Sequence, residues 1–161
     1  MKLPRSTQPY LWTRQGWVYL AVVLDLFSRK VVGWSVQAEM KTALVEAALS
    51  QAAQRRQPPR GLLFHSDRGS QYASDAFRQR LQLYGLTAFM SRKGDCYDNS
   101  PVERFFGSLK KEWIPPMGYS HLEHARLDVL RYIEMFYNSK RLHSTLGYLA
   151  PSQFEALSQV A

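Results

Sequence analysis

The segment Val18-Tyr19-Leu20-Ala21-Val22-Val23-Leu24 is nearly all apolar. A strand with one face in water alternates apolar and polar residues. A strand without alternation is buried on both faces. The run is far too short to span a bilayer, which takes about 20 apolar residues. It therefore predicts an inner strand covered on both sides, and the predicted order of elements, three strands, helix, strand, helix, strand and two helices, is a layered α/β pattern. Its neighbours agree. Leu11 to Thr13, a Gln15-Gly16 turn and Trp17 to Leu26 read as a β-hairpin, and Lys30 to Val36 as a third strand. Lys41 to Arg56 reads as a helix, with Leu44, Ala47, Ala48 and Gln51 at helical spacing and Pro58-Pro59 as its stop. A short strand at Leu62 to His65 follows. Ser74 to Tyr84 is a helix ending at Gly85, and Leu86 to Met90 is a last strand. Ser91 to Asn99 is a polar loop. Pro101 to Trp113 and Leu122 to Tyr137 are closing helices, the second opened by a Ser120–Glu123 capping box. The 161 residues suit one domain with a real core, and no internal repeat or low-complexity segment divides them.

Charge narrows the partner. The formal net charge is +8 and the pI about 9.8. That favours a polyanion, with nucleic acid ahead of a membrane surface; charge alone leaves a generically basic protein nearly as good. Cys96 is the only cysteine, so no intrachain disulfide forms, as expected in a reducing cytosol. It has no Cys or His partner at zinc spacing. Met1 to Tyr10 has no apolar stretch of signal-peptide type. The expectation is a cytoplasmic protein.

Two acids carry the chemistry. Asp67 follows the short strand in Phe64-His65-Ser66-Asp67-Arg68-Gly69-Ser70-Gln71-Tyr72, and Glu103 lies in a predicted helix, with 35 residues between them. Lys110 follows Glu103 by seven residues, two helical turns, and so shares its face. Paired carboxylates can share divalent metal ions that drive in-line attack on a phosphodiester, and a lysine can hold the DNA backbone. Each residue also has a plainer reading. Asp67-Arg68-Gly69 is good turn chemistry. Ser100-Pro101-Val102-Glu103 is itself a capping-box pattern with proline at the first helical position. An exposed lysine is usually just solvated. His65 beside a strand is more often packing than a metal ligand. Ser66, Ser70 and Ser108 lack a nucleophile-elbow context. Arg131, Lys140, Arg141 and His143, with Tyr132, Phe136 and Tyr137 between them, make a basic and aromatic C-terminal stretch.

His65 to Tyr72, Tyr97-Asp98-Asn99-Ser100 and Glu103-Arg104-Phe105-Phe106-Gly107-Ser108-Leu109-Lys110 resemble signatures of bacterial insertion-sequence transposases. So do Asp25-Leu26-Phe27-Ser28-Arg29-Lys30, Tyr137-Asn138 and His143-Ser144-Thr145-Leu146-Gly147-Tyr148. These are DDE-type enzymes of the retroviral-integrase superfamily, and the resemblance runs from about Tyr10 to about Phe154. It implies a ribonuclease-H-like fold, a mixed sheet of about five strands flanked by helices, in one catalytic-core domain over residues 1–161. It implies DNA cleavage and strand transfer with Mg²⁺ or Mn²⁺, a two-metal site in the intact enzyme, and Asp67 and Glu103 as catalytic metal ligands. It further implies DNA contact by Arg68, Lys110, Lys111 and Arg141, transposon ends and target DNA as partners, no membrane, a bacterial cytoplasm and a homo-oligomer on DNA.

The chain departs from that family in one respect. The family's first acid stands three residues before the tyrosine matched by Tyr10, where this chain has Thr7, and no Asp or Glu occurs before Asp25. The family's upstream DNA-binding region is also missing, which reads as an N-terminally truncated copy with impaired catalysis, or as a folded DNA-binding remnant without it. Folding the hairpin about residues 15 and 16 sets position 7 opposite residue 24 or 25, which makes Asp25 a candidate substitute. The resemblance instead assigns Asp25 to a separate motif, and a one-residue change of register would turn it to the other face.

Overall fold

The computed structural model describes residues 10–66, 74–90 and 100–160. The strands are β1 (Tyr10–Thr13), β2 (Gly16–Leu24), β3 (Val31–Gln37), β4 (Leu63–Ser66) and β5 (Thr87–Met90). β2 is the middle of an antiparallel β1-β2-β3 unit, and β4 and β5 pair in parallel. Helices α1 (Thr42–Arg56), α2 (Asp75–Leu83), α3 (Ser100–Glu112), α4 (Leu122–Leu130) and α5 (Pro151–Val160) flank this five-strand mixed sheet.

β2 is covered on both sides, as its composition requires. Leu20, Val22 and Leu24 meet Val102, Phe105 and Leu109 of α3 and Ala125 and Val129 of α4 in one core. Ala21 and Val23 point the other way, into a second core with Leu44, Val45, Ala48 and Leu49 of α1 and Phe64, Phe77 and Leu81. The α1 contact is close. A Cβ added to Gly33 would stand 2.1 Å from the Ala48 carbonyl oxygen. Only glycine lets the helix lie this near the strand.

Several boundaries differ from the sequence reading. The hairpin turns at Arg14-Gln15, with Thr13 opposite Gly16. Thr13 Oγ1 accepts from the Gln15 N–H and donates to the Gly16 carbonyl, which closes the turn one residue early. β2 stops at Leu24, not Leu26, because Asp25 starts a side-chain-capped turn. In α1, Ala47 is exposed and the buried face is Leu44, Val45, Ala48, Leu49, Ala52 and Ala53. The Ser120–Glu123 capping box does not form. His121 is the N-cap, and its ring nitrogen accepts from the His124 N–H. The long helix to Tyr137 changes pitch at Arg131, becoming a π-helical segment over Arg131–Tyr137. α5 and a 3₁₀ turn at Ser144–Leu146 complete the chain. Neither has a sequence signal as strong as the inner strand.

The open side of β3 is blocked by side chains. Gln51 Oε1 accepts from Trp34 N–H at 2.7 Å, and Arg126 Nη2 donates to the Val36 carbonyl at 3.0 Å. Exposed strand edges recruit other strands, and occupied backbone groups prevent it. Among the described residues no helix is long and apolar enough to cross a membrane.

Candidate functional site

α3 is amphipathic, and that positions the predicted acid. Val102, Phe105, Phe106 and Leu109 are buried, so Glu103, Arg104, Lys110 and Lys111 are held outward on a helix fixed by its opposite face. Glu103 is exposed and forms no ion pair or hydrogen bond with a described residue. The capping-box reading of Glu103 is not realised, because the helix already includes Ser100 and no bond joins the two residues. An exposed carboxylate on a helix anchored by its buried face supplies the hard oxygen donors that Mg²⁺ prefers. No group of three or more His, Cys, Asp or Glu side chains is gathered for a metal among the described residues.

The second acid is approached from β4. Ser66 ends that strand and is buried, and the His65 ring meets Phe89 at a tilt of 56°, with ring centres 4.9 Å apart. The His65 ring therefore packs against β5. Asp67 and Arg68 lie outside the described residues, as do Thr7 and Cys96.

Lys110 is exposed, with Nζ 5.6 Å from the centre of the Tyr10 ring. That is cation–π range. Tyr10 in turn meets Trp17 edge-on at 4.8 Å, and Trp17 meets Trp12 at 4.9 Å. Lys110 has no carboxylate partner among the described residues.

Asp25 is engaged elsewhere. Its Oδ1 accepts from the Phe27 N–H at 2.9 Å, and its Oδ2 lies 3.7 Å from Arg56. Its own N–H donates to the Lys30 carbonyl. The observed register also changes the argument for it. Each pair in the β1–β2 ladder lies two to three residues earlier on β2 than a fold about residues 15 and 16 sets it, with Tyr10 opposite Tyr19.

Lys111 and Arg141 line a cleft of about 760 Å³ between α3 and the segment after Tyr137. Arg141 forms a two-pronged bond to Glu112, Nε to Oε2 at 2.8 Å and Nη2 to Oε1 at 2.7 Å. The bond holds the Glu112 carboxyl below the usual carboxylate range and raises Arg141. Arg29 and Arg104 reach the same cleft. The His143 ring borders it, and burial, with Arg141 and Arg29 nearby, pushes its pKa down to about 4. Burial also pushes the Tyr137 hydroxyl up, so it stays protonated. The sequence reading named Lys111 and Arg141 as DNA-contact candidates but not Arg29, Arg104 or Tyr148, which line the same cleft. Their shared cleft is a tertiary juxtaposition, although Arg104 stands at helical spacing from Lys111.

Two models of the integrase core domain match the chain, over residues 7–96 and 84–151. A transposase for insertion sequence element IS904 from Lactococcus lactis subsp. lactis (strain IL1403) is 42% identical over 146 residues, which is 91% of this chain and 58% of that protein. Transposase InsF for insertion sequence IS3A from Escherichia coli (strain K12) is 48% identical over 146 residues, 91% of this chain and 51% of its own length. The chain thus spans about half the length of these curated relatives. Among solved structures, the HTLV-2 integrase catalytic core domain in complex with magnesium, in a trimeric form, superposes with a TM-score of 0.65 at 17% identity, covering 95% of this chain and 94% of that one. A chain of the simian T-cell lymphotropic virus intasome in complex with PP2A regulatory subunit B56 gamma gives 0.70 at 15% identity, covering 95% and 53%. These two likenesses fix the ribonuclease-H-like fold. With its first match alone taking in more than half of the sequence, the chain belongs to the integrase core-domain family, and over 91% of its length it is similar to insertion-sequence transposases.

Proposed function

We propose that this chain is the core of a polynucleotidyl transferase that cleaves transposon DNA and joins it to a target, and that the copy is impaired. The observation that carries the reading is Glu103, an exposed carboxylate with no hydrogen bond or ion pair among the described residues, on the outer face of a helix anchored by Val102, Phe105 and Leu109. Asp67 and Glu103 would hold Mg²⁺ or Mn²⁺. Such ions, when bound, stabilise the attacking and leaving oxygens of an in-line displacement at phosphorus. The attacking group is a terminal 3′-hydroxyl or water. Lys110 and Lys111, with Arg68 and Arg141, would hold phosphate oxygens of the strand. We place the chain in the bacterial cytoplasm as one domain, assembling as a homo-oligomer on transposon ends.

Impairment follows from the missing acid. Thr7 offers at most a neutral hydroxyl, whereas Mg²⁺ favours charged oxygen donors. The Asp25 carboxylate, held by Phe27 N–H and near Arg56, supports its reading as a turn residue. That observation also favours the second reading, a DNA-binding remnant without catalysis.

Plasmid nicking with Mg²⁺ or Mn²⁺ tests both. Thr7→Asp should nick DNA faster than the unaltered chain, and adding Glu103→Gln should abolish the gain. Equal nicking by the unaltered chain and Thr7→Asp would remove the impairment. No nicking by Thr7→Asp would leave the remnant reading. Loss of residual nicking in Asp25→Asn, with folding intact, would show that Asp25 had replaced the first acid.

A further inference from the structure

The cleft beside α3 has a composition that phosphate contact alone does not account for. Arg29, Arg104, Lys111 and Arg141 face a single carboxylate, Glu112, and Arg141 already takes that one. Arg29, Arg104 and Lys111 have no acidic partner among the described residues. Arg104, Gly107, Ser108 and Lys111 recur at helical spacing and form one wall. A Cβ built on Gly107 meets nothing within 4 Å, so the wall has an open floor at its centre.

Two further observations concern the opposite wall. Arg29 and Tyr148 have φ of +61° and +60°, a left-handed backbone that side chains adopt at a cost. Among the described residues the other non-glycine example is Gln57, a helix C-cap. Residues kept in such conformations concentrate at ligand-binding sites. Tyr148 is 71% exposed, a large aromatic ring left in solvent among cations.

We propose that this cleft takes a single strand of DNA, with phosphates on Arg29, Arg104 and Lys111 and an unpaired base stacked on Tyr148. The inference rests on the DNA-processing reading above. Cations track a strand's phosphates, and an exposed aromatic gives any base a stacking surface. An acidic peptide would use the cations and leave the ring idle. Arg104 directly follows Glu103, and the cleft lies about 100° round the helix from the Glu103–Lys110 face. A strand opened beside Glu103 can therefore cross α3 into the cleft.

Fluorescence anisotropy with a short random-sequence single strand, and with a blunt duplex of the same sequence, tests this. Arg104→Gln and Lys111→Gln should each flatten the single strand's log-affinity against log-salt slope by about 0.7. Tyr148→Gly suits the left-handed backbone and removes the ring. It should weaken single-strand binding by roughly 5- to 150-fold and leave duplex binding unchanged. Tyr148→Phe, and Lys41→Gln in a remote surface ion pair with Glu39, should bind as the unaltered chain does. If Arg104→Gln, Lys111→Gln and Tyr148→Gly all bind normally while Lys110→Ala binds weakly, the cleft proposal fails and the DNA reading stands. If Lys110→Ala also binds normally, or no DNA binds, both fail. Equal loss on duplex in Tyr148→Gly, or competition by polyglutamate as strong as by DNA per charge, would overturn the single-strand assignment.

Discussion

Asn138 acts on Val31 as a neighbouring strand would. Its Oδ1 accepts from the Val31 N–H at 2.9 Å, and its Nδ2 donates to the Val31 carbonyl at 2.9 Å. Both residues are buried. The π-helical segment ends on this asparagine, so the pair ties the C-terminal helices to the open edge of β3. Removing the amide leaves two buried backbone groups unsatisfied, each costing about 1–3 kcal/mol. Asn138→Ala should lose about 2–6 kcal/mol in urea denaturation, and a loss below about 1 kcal/mol would mean that water replaces the amide.

Gly33→Ala should be as damaging by a different route. The new methyl would meet the Ala48 carbonyl at 2.1 Å and the Ala52 Cβ at 2.8 Å. Both belong to α1, so the helix must move off the sheet. Overpacking of this kind costs about 1–3 kcal/mol, occasionally more. The thermal midpoint should fall, and Gly33→Ala with an unchanged midpoint would show that α1 shifts freely.

Glu155 links α5 to the loop after β2. It accepts from Ser28 Oγ at 2.7 Å and Lys30 Nζ at 3.0 Å, and also bonds Arg56. Burial pushes this carboxyl up, but the bonds from Arg56, Ser28 and Lys30 outweigh it and hold the pKa below 4.5. A depressed carboxyl stabilises the fold above its unfolded pKa, and that stability is lost as pH falls through the folded value. Stability measured from pH 6 downward should therefore drop below about pH 4.5. Glu155→Gln should lose about 2 kcal/mol at neutral pH, the scale of a lost hydrogen bond to a charged group, and show a shallower acid drop. An equally steep drop in the variant would assign the acid sensitivity to other groups.

His143 should stay neutral well below the usual imidazole range. Its pKa is pushed down to about 4 by burial first and then by Arg141 and Arg29. An unfolded chain takes up that proton near pH 6.5, so folding is penalised progressively between pH 6.5 and about 4. A ring titration followed by NMR should give a midpoint near 4. A midpoint near 6.5 would place the ring in solvent.

The inner strand was legible because Val18 to Leu24 has no polar face, and a chain can bury such a strand in few ways. The outward position of Glu103 was legible for a similar reason. Val102, Phe105, Phe106 and Leu109 mark the buried side of α3 by period alone, which leaves Glu103, Arg104, Lys110 and Lys111 outside. Local chemistry misled where two residues competed for one post. Ser120 fits a cap by composition, but the helix starts one residue later and the His121 ring takes the cap. The arrangements that rest on distant partners carried no local signal. Asn138 bonds Val31 across 107 residues, Ser28 bonds Glu155 across 127, and Arg29 meets Arg104 and Tyr148 at one cleft. Periodicity records which side of an element is buried, because that depends on neighbours a few residues away. Which element covers that side, and which polar groups meet there, depends on how the whole chain packs, and only the tertiary structure decides it.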